Sequence, residues 1–242
     1  MRVLALDTAT ARTAVALRDL DDAANVCLRS SVDLTAADDP PAGGRPGHAQ
    51  RLLALIHELL EQSDAGWEAV DRIAVGVGPG TFTGLRIGIA TAQALATARA
   101  LPLVGVSTLR SLALAAHDRD PERPTLAVID ARRGEAFVAG WAAGDDPLAA
   151  TPALAPCVLA PAELGELAAQ SDVRGAIAVG DGAVKFREVL ERAGAHVPAD
   201  DAPLHRVSAR EHCRLAALQA PSTDGRVEPA YLRLPDAEIA RA

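Results

Sequence analysis

The chain opens on two short apolar runs, Arg2–Asp7 (RVLALD) and Arg12–Arg18 (RTAVALR), separated by the turn TATA. Runs of Val, Leu and Ala broken by small polar residues read as strands, and the tight spacing predicts a hairpin. AANVCLRSSVDL extends it to a third strand ending near Leu34, and the Pro-, Gly- and Asp-rich Thr35–Gly47 predicts a loop. The period then changes. In HAQRLLALIHELLEQS, Ala49, Leu52, Leu53, Ile56, Leu59 and Leu60 fall at helical spacing, with Leu55 outside that face and the apolar stripe wide as a result. DRIAVGVG reads as a buried strand. The glycine-rich GPGTFTG leads from it into a second helix, Leu85–Ala100, which Thr81 or Thr83 can cap. LPLVGVS is a further strand and Thr108–His117 a further helix.

The pattern then restarts. TLAVIDARRGEAFVAGW is again strand, turn and strand, and aligning Asp7 with Asp130 pairs LALDTATARTAVAL with AVIDARRGEAFVAG as a weak internal repeat. Helices are expected near Pro161–Ala169, through VKFREVLERAG and over AREHCRLAALQ, with GAIAVG as a strand and RVEPAYLRLPDAEIARA as an extended tail. Hairpin-linked strands followed by helical crossovers make an α/β chain with mixed sheets. The natural division is residues 1–106 and 107–242, with the tail able to return to the first domain.

Composition sharpens this only in places. Hydrophobic residues make up 49% and aromatics 2%, so the core is built from Ala, Val, Leu and Ile. A net charge of −8 argues against a surface that binds nucleic acid unaided, although a local basic patch is compatible with it. The chain has no run of about 18 apolar residues and no signal-peptide pattern at its start, so a cytoplasmic protein is expected. Cys27, Cys157 and Cys213 are isolated and read as reduced thiols.

Candidate chemistry is sparse. The glycine turn lacks the G-K-[ST] ending of a phosphate loop and misses G-x-G-x-x-G, which leaves an anion-binding helix start or a structural corner. After it, Gly84, Gly88, Ala92, Ala96 and Ala100 form a ridge without bulk, suited to close helix packing; Ala90, Ala94 and Ala98 leave a second face nearly as bare. Asp7 and Asp130 end apolar strands, where α/β proteins place chemistry. Yet the turn after Asp7, Thr8-Ala9-Thr10, has no glycine to let a phosphate approach. GDGAVKF, with Gly180 and Gly182, is a second glycine turn that either touches a nucleotide or simply starts a helix. Neither the histidines nor the serines form a catalytic constellation.

LALDTATARTAVAL, GVGPGTFTGLRIGIATAQALA, VGVSTLRSLA, IDARRGEAFVAGW and VEPAYLR together resemble the TsaB family, the dimerisation subunits of the bacterial tRNA threonylcarbamoyladenosine machinery, from Met1 to about Arg233. The resemblance implies an actin-like, Hsp70-like (ribonuclease H-like) ATPase fold, duplicated into two lobes that each carry a mixed central sheet flanked by helices. Catalytic relatives of the TsaD type carry an H-x-x-x-H metal pair on the helix after the next strand. The matching positions here are Thr108 and Leu112, and leucine has no donor atom. A pseudoenzyme with no catalytic residue and no metal is therefore implied. It would support a TsaD-type subunit in forming N6-threonylcarbamoyladenosine in tRNAs that read ANN codons.

The same resemblance implies a TsaE-type ATPase as a further partner, a homodimer in isolation, tRNA contact only through the complex, and no membrane. It implies no cofactor bound by this chain alone, with ATP or ADP confined to the partner interface. Asp7, Thr8, Thr10, Gly180 and Gly182 would mark a vestigial nucleotide site. The partner interface would use the two first-lobe helices through Leu52, Leu55, Ile56, Leu59, Leu85, Gly88, Ile89, Ala92 and Ala96. An independent ATP-binding enzyme and a metallopeptidase-like protein are the competing classes.

Overall fold

Strands β1 (Arg2–Asp7) and β2 (Thr13–Asp19) form the expected hairpin, with Val3 opposite Arg18 and Asp7 opposite Ala14. Both strands are buried almost throughout, because helices cover both faces of the sheet. Alternation along β1 divides the contacts: Leu6 and Thr8 meet one helix layer, and Val3 and Asp7 meet the other. A computed structural model gives this architecture and describes residues 1–21, 32–41, 44–63, 66–170 and 172–233. The chain divides into two units, Met1–Thr108 with Val207–Pro229, and Leu109–Arg206 with the described residues from Ala230 onward. The chain thus returns to the first unit for Val207–Pro229, a stretch that the expected boundary assigned to the second domain.

In the first unit β3 (Asp33–Asp38) pairs antiparallel with β2, while β4 (Arg72–Gly78) and β5 (Leu103–Ser107) add in parallel, giving the order β3-β2-β1-β4-β5. The loop expected from Thr35 is therefore strand as far as Asp38. An edge strand with one wet face needs no apolar run, so after Leu34 its sequence TAAD carries no strand signal. The Ala23–Ser31 part of the expected third strand lies outside the described residues, as does Cys27.

Helix α1 (His48–Gln62) buries Leu52, Leu55, Ile56, Leu59 and Leu60, the i, i+3, i+4, i+7, i+8 stripe of an amphipathic helix. The expected places of Leu53 and Leu55 are reversed: Leu55 is 3% exposed and Leu53 59%. With leucines at 52, 53 and 55, two neighbouring helix registers look equally apolar, and only the sheet decides between them. Helix α2 (Phe82–Arg99) begins earlier than expected, with Thr81 at its N-cap. Thr81 makes no side-chain capping bond; its N–H donates to Ala9 O at 2.7 Å.

The second unit repeats the plan. β6 (Thr125–Arg132), β7 (Glu135–Trp141), β8 (Leu154–Leu159) and β9 (Ile177–Val179) stand in the order β8-β7-β6-β9. Strand for strand this matches β3-β2-β1-β4, and Asp130 faces Ala136 as Asp7 faces Ala14. The duplicated, actin-like arrangement is thus carried by topology and by the two aspartates. β8 has no counterpart in the sequence reading because Pro156 interrupts its apolar run, which an edge strand tolerates. α3 (Thr108–His117) and α4 (Pro161–Ala168) lie as expected, whereas the VKFREVLERAG helix is two, α5 (Asp181–Lys185) and α6 (Arg187–Arg192), broken at Phe186.

Helix α7 (Ala209–Leu218) belongs to the first unit and packs on β1 and β2. The chain after it continues along the edge of the sheet. Ser222 N–H donates to Leu103 O at 2.8 Å, and Gln93 Nε2 to Val227 O at 3.1 Å.

Candidate functional site

Asp7 ends β1 and is fully buried. Its Oδ1 accepts from Ala9 N–H at 2.8 Å, and its Oδ2 from Thr108 Oγ1 at 3.1 Å and His212 Nε2 at 3.0 Å. The other ring nitrogen of His212 faces Ser208 O at 3.2 Å. The pocket is tight enough that a Cβ on Gly76 would fall 1.8 Å from Asp7 Oδ2. The strand-end carboxylate is thus fully engaged inside the fold by α7 and the start of α3. Thr8 and Thr10 beside it are buried as well. The side chains assigned to a nucleotide from this turn are thus packed inside the first unit.

The glycine corner has the same explanation. Thr8 Oγ1 donates to Gly84 O at 2.7 Å, and a Cβ on Gly84 would lie 2.0 Å from Thr8 O, or on Gly88 2.3 Å from Thr8 Oγ1. The ridge without bulk lets α2 sit directly on the Asp7–Thr10 turn. It is a packing surface within the unit. Every residue assigned to the partner interface shares its fate: Leu52, Leu55, Ile56, Leu59, Leu85, Gly88, Ile89, Ala92 and Ala96 are all buried within the first unit. The two helices form where expected, and these side chains face inward.

Their outward faces are different residues. On α2, Phe82, Arg86, Ala90, Ala94 and Ala98 recur every fourth position and are all exposed, with the Arg86 guanidinium 3.8 Å above the Phe82 ring. On α1, Ala49, Leu53, His57 and Glu61 form the parallel row, and His57 Nε2 lies 3.2 Å from Glu61 Oε1. Leu53 and Phe82, at 59% and 40% exposure, are among the few large apolar side chains left open in the described residues. The two helices pack on each other over one core cluster, and each carries such a row on its exposed side. The sequence carried this signal in its second small-residue face, Ala90, Ala94 and Ala98.

The positions matching the metal histidines do not fit a metal. Thr108 is buried with its hydroxyl committed to Asp7, and Leu112 is buried and donor-free. Among the described residues no group of three or more His, Cys, Asp or Glu side chains is placed to hold an ion. In the second unit Gly180 and Gly182 are buried where α5 presses on β6. A Cβ on Gly182 would lie 2.7 Å from the Ile129 carbonyl carbon. These glycines serve close packing. The Asp181 carboxyl that follows accepts from Asp130 N–H at 3.0 Å, and burial pushes it above the usual carboxylate range. Cys213 is buried in the first unit with its thiol pushed far up by burial, and Cys157 is half-buried with its thiol also raised.

Comparison with known proteins agrees with this plan. A family described as TsaD, tRNA N6-adenosine threonylcarbamoyltransferase, matches residues 41–241. The chain is 39% identical over 142 residues to the tRNA threonylcarbamoyladenosine biosynthesis protein TsaB of Escherichia coli, covering 59% of this chain and 54% of that protein. It is 41% identical over 90 residues to the TsaB of Haemophilus influenzae, covering 37% of this chain and 38% of that one. These alignments thus span about half or less of the curated relatives. A crystal structure from Pseudomonas aeruginosa, described as an uncharacterized protein with similarity to peptidase YeaZ, superposes with a TM-score of 0.73 at 30% identity over 96% of this chain and 99% of that one. No helix among the described residues is long and apolar enough to cross a membrane. The chain belongs to the TsaD family of tRNA N6-adenosine threonylcarbamoyltransferases and, within it, to the branch represented by the TsaB proteins.

Proposed function

We propose that this chain is a non-catalytic subunit that docks a TsaD-type threonylcarbamoyltransferase and supports it in forming N6-threonylcarbamoyladenosine in tRNA. The observation that carries the reading is a contrast between the buried strand-end positions and the outward helix faces. The position that a TsaD-type enzyme would give to a metal ligand is donor-free Leu112, and the strand-end Asp7 is sealed by His212. At the same time α1 and α2 turn outward a pair of i, i+4 ridges with Leu53 and Phe82 exposed. A strand-end carboxylate enclosed by protein groups and a surface that invites a helix pair favour a scaffold over an enzyme.

The partner helices would seat against Phe82, Ala90, Ala94 and Leu53. The same ridges would join two copies in a homodimer when the catalytic subunit is missing. A TsaE-type ATPase joins the assembled pair, any ATP or ADP belongs to the interface, and the working compartment is the cytoplasm. An independent ATP-using enzyme and a metallopeptidase are disfavoured by the same two residues, Asp7 and Leu112.

Reconstitution tests the reading. The chain alone is expected to transfer no threonylcarbamoyl group and hydrolyse no ATP. It should co-elute with a TsaD-type subunit and restore modification of unmodified tRNA. Turnover by the isolated chain would sink the proposal.

A further inference from the structure

The turn between β6 and β7 is built against conformational preference. Arg132, Arg133 and Gly134 lie in the left-handed region at φ 63°, 54° and 81°. Two-residue hairpins of this kind favour Asn-Gly or Asp-Gly; here two arginines precede the glycine. A non-glycine residue held there is strained, and strain of this sort gathers at functional positions.

Other cations converge on the same turn from distant parts of the chain. Lys185, the only lysine of the sequence, reaches from α5 and donates to Asp130 Oδ1 at 2.7 Å. Arg132 Nη1 donates to Asp130 Oδ2 at 3.2 Å. Arg233 donates to Ala131 O at 3.1 Å and pairs with Glu135. The Asp130 side chain is 11% exposed beneath Arg132 at 61% and Lys185 at 39%. A carboxylate so placed orients both cations while engaging one donor of each, and an arginine has five and a lysine three. In a chain whose acidic residues outnumber its basic ones, 32 to 24, Arg132, Lys185 and Arg233 pair with Asp130 and Glu135, and Arg133 stands in the turn between them.

We infer that the β6–β7 hairpin is a phosphate-binding site, built by Arg132, Arg133, Lys185 and Arg233 to hold the backbone of an RNA. The inference rests on the proposed role in tRNA modification and gives this acidic chain a direct contact with that tRNA. One hairpin of cations on a chain of charge −8 binds weakly alone, so it acts when a partner subunit supplies the remaining contacts.

The test uses the complex of this chain with its TsaD-type subunit and titrates tRNA by filter binding between about 50 and 200 mM salt. Arg132→Glu/Arg133→Glu should weaken binding about tenfold or more and reduce the log–log salt slope by about 2, one unit for each lost phosphate contact. Arg192→Glu, an exposed position on α6 paired with Glu188, should change neither. Arg133→Gly relieves the left-handed strain, so it should melt no lower than the parent and still weaken tRNA binding, which a purely structural turn would not do. Unchanged affinity and slope in these variants would overturn the site, as would loss of ATP binding with tRNA binding intact. Co-elution of the parent pair is read first: its absence speaks against the proposed function, whereas an intact complex with an unaltered slope speaks against this hairpin alone.

Discussion

His212 Nε2 stands 3.0 Å from Asp7 Oδ2 with both side chains fully buried, joining a helix near the end of the chain to the first strand. A strand-end carboxylate is where an α/β sheet offers a reactive group. Here α7 closes over it, and Thr108 completes the closure.

His212→Leu would leave the Asp7 carboxylate buried without its partner. Leaving a buried carboxylate short of one hydrogen-bond donor costs about 1–3 kcal/mol or more. Urea unfolding should show a loss of that order, and Asp7→Asn/His212→Leu should recover part of it. A single-variant loss below about 1 kcal/mol would mean that the carboxylate finds water instead.

Gly84→Ala and Gly88→Ala place a methyl against Thr8, and Ala92→Trp forces an indole into the same core. Overpacking of this kind costs about 1–3 kcal/mol for the methyls, more for the indole. Thermal melting of the isolated chain should report it directly. A variant with parental melting and a lost partner would return the small-residue ridge to the interface.

Two buried groups set opposite pH responses. Burial holds the His48 imidazole, bonded to Thr13 Oγ1 at 2.8 Å, below its usual range. The unfolded chain therefore takes up that proton first, and the stability linked to it is present above about pH 6.5 and lost as pH falls. Asp181 is raised, so its ionisation costs the folded state, and that cost grows as pH climbs above about 3.9. His48→Gln should flatten the fall in melting temperature between about pH 7.5 and pH 5. Asp181→Asn should raise melting more at about pH 7.5 than at about pH 4.5. The reverse order in either variant contradicts the assignment.

Periodicity made most of the architecture legible. The hairpin, helices α1 and α2, the parallel strands and the repeat about Asp7 and Asp130 are visible as alternation, spacing or self-similarity. Of the edge strands, β8 escaped and β3 was caught only at Asp33 and Leu34, because a half-solvated strand carries little apolar signal. The candidate surface was half legible. Which helices matter follows from their composition, but Leu53 and Leu55 differ by a small rotation that only a packed sheet can choose. Likewise α2 offers two bare ridges, and the contact of Thr8 with Gly84 and Gly88, far apart in sequence, decides which one is buried. The Asp7–His212 bond spans nearly the whole chain and leaves no local trace.

The most direct test of the docking role compares two faces of one helix. Ala90→Arg/Ala94→Arg alters the outward ridge of α2, and Ala92→Trp alters the inward one; each purified variant is melted alone and then passed over an immobilised TsaD-type subunit. The outward variant is expected to melt like the parent and fail to bind, while the inward variant loses stability. An outward variant that melts normally and binds with parental affinity would contradict docking through α1 and α2.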